Sequence, residues 1–116
     1  MRQVDVVVVP SRWEGCPYVI LEAMQAGVPV AAAAVGGAVD LIEDGVDGVL
    51  FVPGDTAALS RALDGLLRDS QARLRLALRG QERVGVRTVE AMAGAVAGVY
   101  RQVAGLRRKK RNAPAA

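Results

Sequence analysis

Two glutamates, Glu14 and Glu22, lie eight positions apart on either side of a predicted helix start. Carboxylates accept hydrogen bonds from hydroxyl groups. The N-terminus of a helix presents free N–H groups and the positive end of the helix dipole to a phosphate. Gly15, between the two glutamates, lets the backbone come close to a ligand. This combination favours a ligand that carries both a diphosphate and sugar hydroxyls.

The elements around this segment place it at the end of a strand. Residues 4–9 form a valine-rich run, which predicts a strand buried on both faces. A loop follows over residues 12–16, and Pro17 fits the first position of a helix over residues 18–26. Gly27 suits the cap that ends this helix.

Further strands are predicted over residues 28–35 and 49–52. Between them, Gly36 and Gly37 predict a turn, and residues 38–43 a short helix. Because all these strands are joined through helices, the order predicts an α/β fold with a parallel sheet in a Rossmann-like, three-layer arrangement. Ligands bind such sheets at the carboxyl ends of the strands. The first strand is predicted to leave one edge of the sheet open and apolar.

The rest of the chain is predicted to be helical. Asp55 is the predicted N-cap of the first of these helices, and residues 71–84 and 89–106 predict two more. The first helix carries an apolar stripe whose spacing is typical of a helix packed on a core, formed by Ala58, Leu59, Ala62, Leu63, Leu66 and Leu67.

The composition excludes several kinds of active site. The chain has 116 residues, enough for one domain, and no histidine, which excludes His-based triads, imidazole acid–base chemistry and most zinc sites. Its single cysteine, Cys16, excludes an internal disulfide. With no secretory signal pattern, a cytoplasmic location is expected.

The other side chains near the predicted ligand are interpreted as packing residues or as solvated charges. Trp13 and Tyr18 are interpreted as packing residues, although either could cover a sugar or a base. Arg12 is interpreted as a solvated loop charge. Cys16 has no neighbouring base or zinc partner in the sequence and is interpreted as a small packing residue.

The net charge of +3 conceals a division along the chain. From Arg101 onward there are six basic residues and no acid, whereas the preceding residues carry nine basic and twelve acidic side chains. Residues 105–116 are predicted to be a disordered basic tail. The alternative is that this tail is attracted to an anionic membrane surface. The basic residues that would make this contact are Arg107, Arg108, Lys109, Lys110 and Arg111. Nucleic-acid binding is disfavoured because aromatic residues are not interleaved with the basic ones.

Taken together, the motifs of this chain resemble a known family. The run Asp5 to Ser11, the segment Glu14 to Gly27, the Val35-Gly36-Gly37 turn and the segment Gly45 to Asp55 are similar to the C-terminal, donor-binding part of GT-B-fold retaining glycosyltransferases of family four (glycosyl transferases group 1). The resemblance covers about residues 3–104 and identifies residues 1–104 as a partial nucleotide-sugar-binding domain.

The resemblance implies a role for each residue of the motif. Glu22 would bind the ribose hydroxyls of a UDP- or GDP-linked sugar. Glu14 would contact the transferred sugar and is the predicted catalytic residue. Backbone groups would meet the sugar and the diphosphate in the segment Gly15, Cys16, Pro17, Tyr18 and Val19. The implied reaction is retaining transfer of a hexose to an acceptor hydroxyl, with no metal or other cofactor expected.

The family also has an N-terminal acceptor-binding domain, which has no counterpart in these residues. The isolated chain is therefore expected to be inactive without a missing N-terminal part or partner chain. The alternative from another class is a non-catalytic nucleotide-binding or protein-interaction module. For the full enzyme, a cytoplasmic location with peripheral contact at the inner membrane face is expected.

Overall fold

The computed structural model describes residues 4–13, 15, 17–85 and 89–111, without the side chains of residues 89, 91, 92 and 106–111. The chain divides into two compact units, residues 1–85 and residues 86–116. Among the described residues, the first unit contains the sheet with its helices, and the second contains one helix.

The first unit is built on a three-stranded parallel sheet. Strands β1 (Val7–Val9), β2 (Val30–Ala33) and β3 (Val49–Phe51) lie in the order β1-β2-β3. Val8 pairs with Ala31, and Ala32 pairs with Leu50. The predicted parallel α/β sheet is thus confirmed. Since β2 is central, β1 is an edge strand, as the sequence predicted.

Four helices surround this sheet. They are α1 (Tyr18–Gln25), α2 (Gly36–Leu41), α3 (Thr56–Arg68) and α4 (Ser70–Gly85). The predicted turn at Gly36-Gly37 is confirmed at Gly36, which has a φ of +43°, but both glycines already belong to the first turn of α2. The first strand begins at Val7 rather than Val4, and Val4 is exposed.

Alternating side chains divide the sheet into two apolar faces, which is what a strand period of two dictates. One core contains Val30 and Ala32 with the buried faces of α1 and α2. The other contains Ala31, Ala33 and Phe51 with Leu66 of α3 and Leu76 of α4. Helices therefore cover both faces, and the three-layer arrangement is confirmed.

The apolar stripe of α3 is confirmed along most of its length. Leu66 is buried, and the preceding stripe residues are half-buried. Leu67 is 58% exposed, since it lies about 100° around the helix from Leu66. The core-facing part of the stripe thus ends one residue earlier than predicted.

Helix α4 also packs against the end of the sheet at which the strands begin. Arg83 Nε lies 2.9 Å from Oδ2 of Asp47 and donates to the Leu41 carbonyl at 2.9 Å. Asp47 lies just before β3 and accepts a hydrogen bond from the Glu43 amide at 2.8 Å. On the same helix, a Cβ on Gly80 would lie 3.1 Å from Met24 Cγ, so the glycine lets α4 pack closely on α1.

The described part of the second unit is helix α5 (Val89–Arg111). Its backbone is helical over residues 105–111, where the sequence predicted a disordered tail. Residues 112–116 of that tail lie outside the described residues. Across the ranges that the structure describes, no helix is long and apolar enough to cross a membrane.

The predicted N-cap of α3 is confirmed, and its loss should be measurable. Asp55 Oδ1 accepts a hydrogen bond from the Ala58 amide at 2.9 Å. Asp55→Ala is expected to lower the free energy of unfolding by about 1 kcal/mol, measured by urea unfolding followed by circular dichroism. Asp64→Ala, which removes only an exposed 3.9 Å ion pair with Arg68, should change it by less than about 0.5 kcal/mol. Equal effects of the two substitutions would contradict the capping role.

Candidate functional site

The carboxyl ends of the three strands open onto one edge of the sheet. The segment 10–17 follows β1, the start of α2 follows β2, and residues 52–55 follow β3. Because the strands are parallel, these connections lie at the same end, as the sequence predicted. Most of the predicted ligand-binding residues belong to the first connection and to α1.

The N-cap residue of α1 makes no side-chain capping hydrogen bond. Pro17 is the N-cap rather than the first helical residue, which corrects its predicted position, and it is buried. Proline offers no side-chain acceptor, and the first turn of α1 contains no acidic residue. The Ile20 amide donates to the Pro17 carbonyl at 3.0 Å. Among the described residues, the Tyr18 and Val19 amides have no acceptor within the helix.

A direct backbone contact holds the first connection against α2. A Cβ on Gly37 would overlap the carbonyl oxygen of Gly15 and would lie 3.0 Å from Cδ of Pro17. Only a glycine at position 37 lets these two segments approach so closely. This role of Gly37 was not predicted from the sequence, although two consecutive glycines after a buried strand could have signalled a close backbone approach.

Glu22 lies one turn after the helix start, on the solvent side of α1. Tyr18 and Glu22 are four residues apart, share one face and are both exposed, whereas Ile20, Ala23 and Met24 face the core. Four residues correspond to about 6 Å along the helix axis. Because the Cα–Cβ bonds of a helix tilt towards its N-terminus, the Glu22 side chain leaves α1 on the side of the helix start.

The aromatic side chains at this edge are not packing residues, which corrects their interpretation. Trp13 is 81% exposed and Tyr18 is 70% exposed. The ring of Trp13 lies close to Gly15, with Cη2 3.7 Å from the position that a Cβ would take there. Arg12 is exposed as well, as expected for a loop charge. An exposed indole beside the loop is a natural reporter of binding.

Two of the predicted site residues are not placed. Glu14 and Cys16 lie outside the described residues, so their roles stay predictions. The structure brings Gly15, Pro17, Tyr18 and Val19 together at the start of α1. Such a site can bind an anion through main-chain amides and a polyhydroxylated group through Glu22.

Comparison with protein families gives an independent result. The model of the family described as "Glycosyl transferases group 1" matches residues 1–83. The matched range contains the sheet, α1 to α3, most of α4 and all of the predicted site residues.

Three of the many known proteins that are similar to the chain illustrate the relationship. D-inositol 3-phosphate glycosyltransferase of Frankia alni is 47% identical over 76 residues, which are 66% of this chain and 19% of that protein. Anabaena Alr3699/HepE, solved with UDP, superimposes with a TM-score of 0.80 at 33% identity, over 84% of this chain and 28% of that one. The same protein has also been solved with UDP-glucose (TM-score 0.76).

The third is the C-terminal domain of a glycosyl transferase group 1 family protein, LpcC, of Francisella tularensis. It superimposes with a TM-score of 0.68 at 33% identity, over 73% of this chain and 44% of that one. The chain thus spans about a fifth of the length of the curated relative and less than half of each solved chain.

Proposed function

Because the chain belongs to the glycosyl transferases group 1 family, we propose that it forms the donor-binding part of a retaining hexosyltransferase. The complete enzyme would move a hexose from a nucleotide sugar to an acceptor hydroxyl. The fold is that of GT-B transferases, and a structural neighbour binds UDP and UDP-glucose. We infer that a uridine diphosphate sugar is also the donor here.

The observation that carries the proposal is the pairing of an uncapped helix start with Glu22. The Tyr18 and Val19 amides would donate to the diphosphate, where the helix dipole favours negative charge. Glu22, one turn further along and exposed, would accept hydrogen bonds from the ribose hydroxyls. The diphosphate and the ribose are adjacent in a nucleotide sugar, as the two groups are on α1.

The remaining roles rest on the family resemblance. Glu14 would contact the transferred sugar and act as the catalytic residue, and the backbone of Gly15 and Cys16 would border the diphosphate. Pro17 has no N–H and its carbonyl pairs with Ile20, so it would contribute by shaping the turn. Binding and transfer would need no metal or other cofactor, so excess EDTA should not change the affinity for UDP.

Glu22→Gln tests the proposed ribose contact. A carboxylate that pairs with hydroxyls forms stronger hydrogen bonds than an amide does, so we expect about tenfold weaker UDP binding. The measurement is a UDP titration followed by Trp13 fluorescence, because Trp13 is the single tryptophan and lies beside Gly15. Isothermal titration calorimetry would provide the same constant without an optical probe.

Glu43→Gln is the matched control, because Glu43 is an exposed glutamate that precedes β3 at the opposite end of the sheet. It should leave UDP affinity and thermal stability unchanged.

A cooperative thermal transition whose temperature UDP raises and GDP does not would support the uridine assignment. A cooperative transition that neither nucleotide raises would contradict the donor-site proposal.

Transfer itself is proposed to require the remainder of the enzyme. The 116-residue chain alone should bind UDP-glucose without transferring glucose to an acceptor hydroxyl, so that no UDP is released. Mixing the chain with a polypeptide that supplies the acceptor-binding half should restore transfer. Binding that persists without transfer after such mixing would favour a non-catalytic module.

A further inference from the structure

Helix α5 presents an apolar stripe to solvent. Val96, Val99, Tyr100 and Val103 are 50%, 60%, 73% and 49% exposed. Their spacing of three and four residues places them within about 100° of arc on one face of the helix. Single exposed valines are ordinary on protein surfaces, but four apolar side chains that are aligned along one helix form a continuous strip.

The positive charge of the chain is concentrated on this same helix. Residues 89–111 contain six basic residues and one acid, a net charge of +5, whereas residues 1–88 carry nine basic and eleven acidic residues. Five of the six are consecutive, at residues 107–111, where the backbone is still helical. The helix thus combines an exposed apolar strip with a strongly basic end.

We propose that α5 lies in the interface of an anionic lipid bilayer, with the valine strip in the acyl boundary and the basic end among the headgroups. An amphipathic helix with a basic segment binds such surfaces through buried apolar area and through charge attraction. Among the described helices none is long and apolar enough to span the bilayer, so α5 would lie on it. This inference is independent of the donor site.

An anionic bilayer is a better match to α5 than a nucleic acid. RNA would satisfy the basic run, but it gains nothing from a strip of valines, and Tyr100 is the single aromatic residue of the helix. A bilayer uses both features at once. Charge complementarity and the exposed strip therefore favour the same partner.

The test is flotation of the 116-residue chain with phosphatidylcholine vesicles, with and without about one third phosphatidylglycerol. Binding is expected on the anionic vesicles and not on the neutral ones. Replacing Arg107, Arg108 and Lys109 by glutamine should lower the partition coefficient about 100-fold, at about fivefold for each basic residue.

Val103→Asp and Gln102→Asp form the matched pair that isolates the strip. Both residues are exposed, and each substitution adds one negative charge, but Gln102 lies about 100° away from Val103 around the helix. Gln102→Asp should weaken binding about fivefold through charge alone, and Val103→Asp at least about 50-fold through charge and the loss of apolar burial. Circular dichroism would establish that both variants keep their helix content.

Three outcomes would overturn the proposal. Equal losses of vesicle binding in Val103→Asp and Gln102→Asp would show that the apolar strip does not contribute to the interaction. Absence of vesicle binding, with salt-sensitive binding of a single-stranded RNA oligonucleotide, would assign the basic run to nucleic acid. Absence of vesicle binding, with a concentration-dependent dimer that Val103→Asp abolishes, would assign the strip to a second copy of the chain.

Discussion

Replacing Arg83 by methionine is expected to lower the free energy of unfolding by about 3 kcal/mol, because it leaves a buried carboxylate without its partner. The Asp47 side chain is 4% exposed, and Arg83 Nε lies 2.9 Å from it. The substitution also removes the hydrogen bond from Arg83 of α4 to the carbonyl of Leu41, the last residue of α2. In a unit of this size the melting temperature should fall by roughly 10 to 20 °C. The measurement is urea and thermal unfolding followed by circular dichroism.

Arg79→Met is the matched control on the same helix. Arg79 pairs with Glu82 at 3.2 Å, but both side chains are mostly exposed, so the loss should be below about 1 kcal/mol. Adding Asp47→Asn to Arg83→Met should recover part of the loss, because the amide oxygen can still accept from the Glu43 amide and no charge is left buried. An Arg83 variant as stable as the Arg79 variant would contradict the account.

The sheet and its helices were predictable because local pattern and tertiary environment agree. The valine and alanine runs of β1 and β2 are apolar throughout, as strands covered on both faces require. Gly27, which ends α1, has φ of +71°, a conformation that glycine adopts without strain. Asp55 caps α3 as its position predicted.

Contacts between distant parts of the chain were not predictable in this way. Nothing near Arg83 indicates that it reaches Asp47, which lies 36 positions earlier and in a different connection. The exposure of Trp13 and Tyr18 likewise depends on what the fold leaves uncovered at the carboxyl edge. Sequence patterns report the period of burial within one element and carry little information about which elements meet at their ends.

The same limit applies to the candidate site. Glu22 and the start of α1 could be proposed together from the sequence, since one helix positions both, and their roles stay predictions. The second support of the site, the contact of Gly37 with Gly15, joins two connections and became visible only in the structure.

Gly37→Ala is expected to weaken UDP binding about 100-fold, because the turn that presents the Tyr18 and Val19 amides has to move. The new Cβ would overlap the Gly15 carbonyl oxygen and press on the Pro17 ring at 3.0 Å, and neither neighbour is the end of a flexible side chain. The shift would displace the N-cap of α1 and with it the amides that are proposed to bind the diphosphate. The affinity should be measured by calorimetry, and the melting temperature should fall as well.

Gly65→Ala separates this steric effect from the general effect of removing a glycine from a helix. Gly65 lies within α3, and a Cβ at this position would have no neighbour within 4 Å, so alanine there should stabilise the protein by about 0.5 to 1 kcal/mol. UDP affinity should not change. If Gly65→Ala raises the stability and Gly37→Ala lowers it, position 37 is constrained by the backbone of residue 15. If Gly37→Ala instead bound UDP normally and melted at or above the wild-type temperature, the contact would have no role in shaping the site.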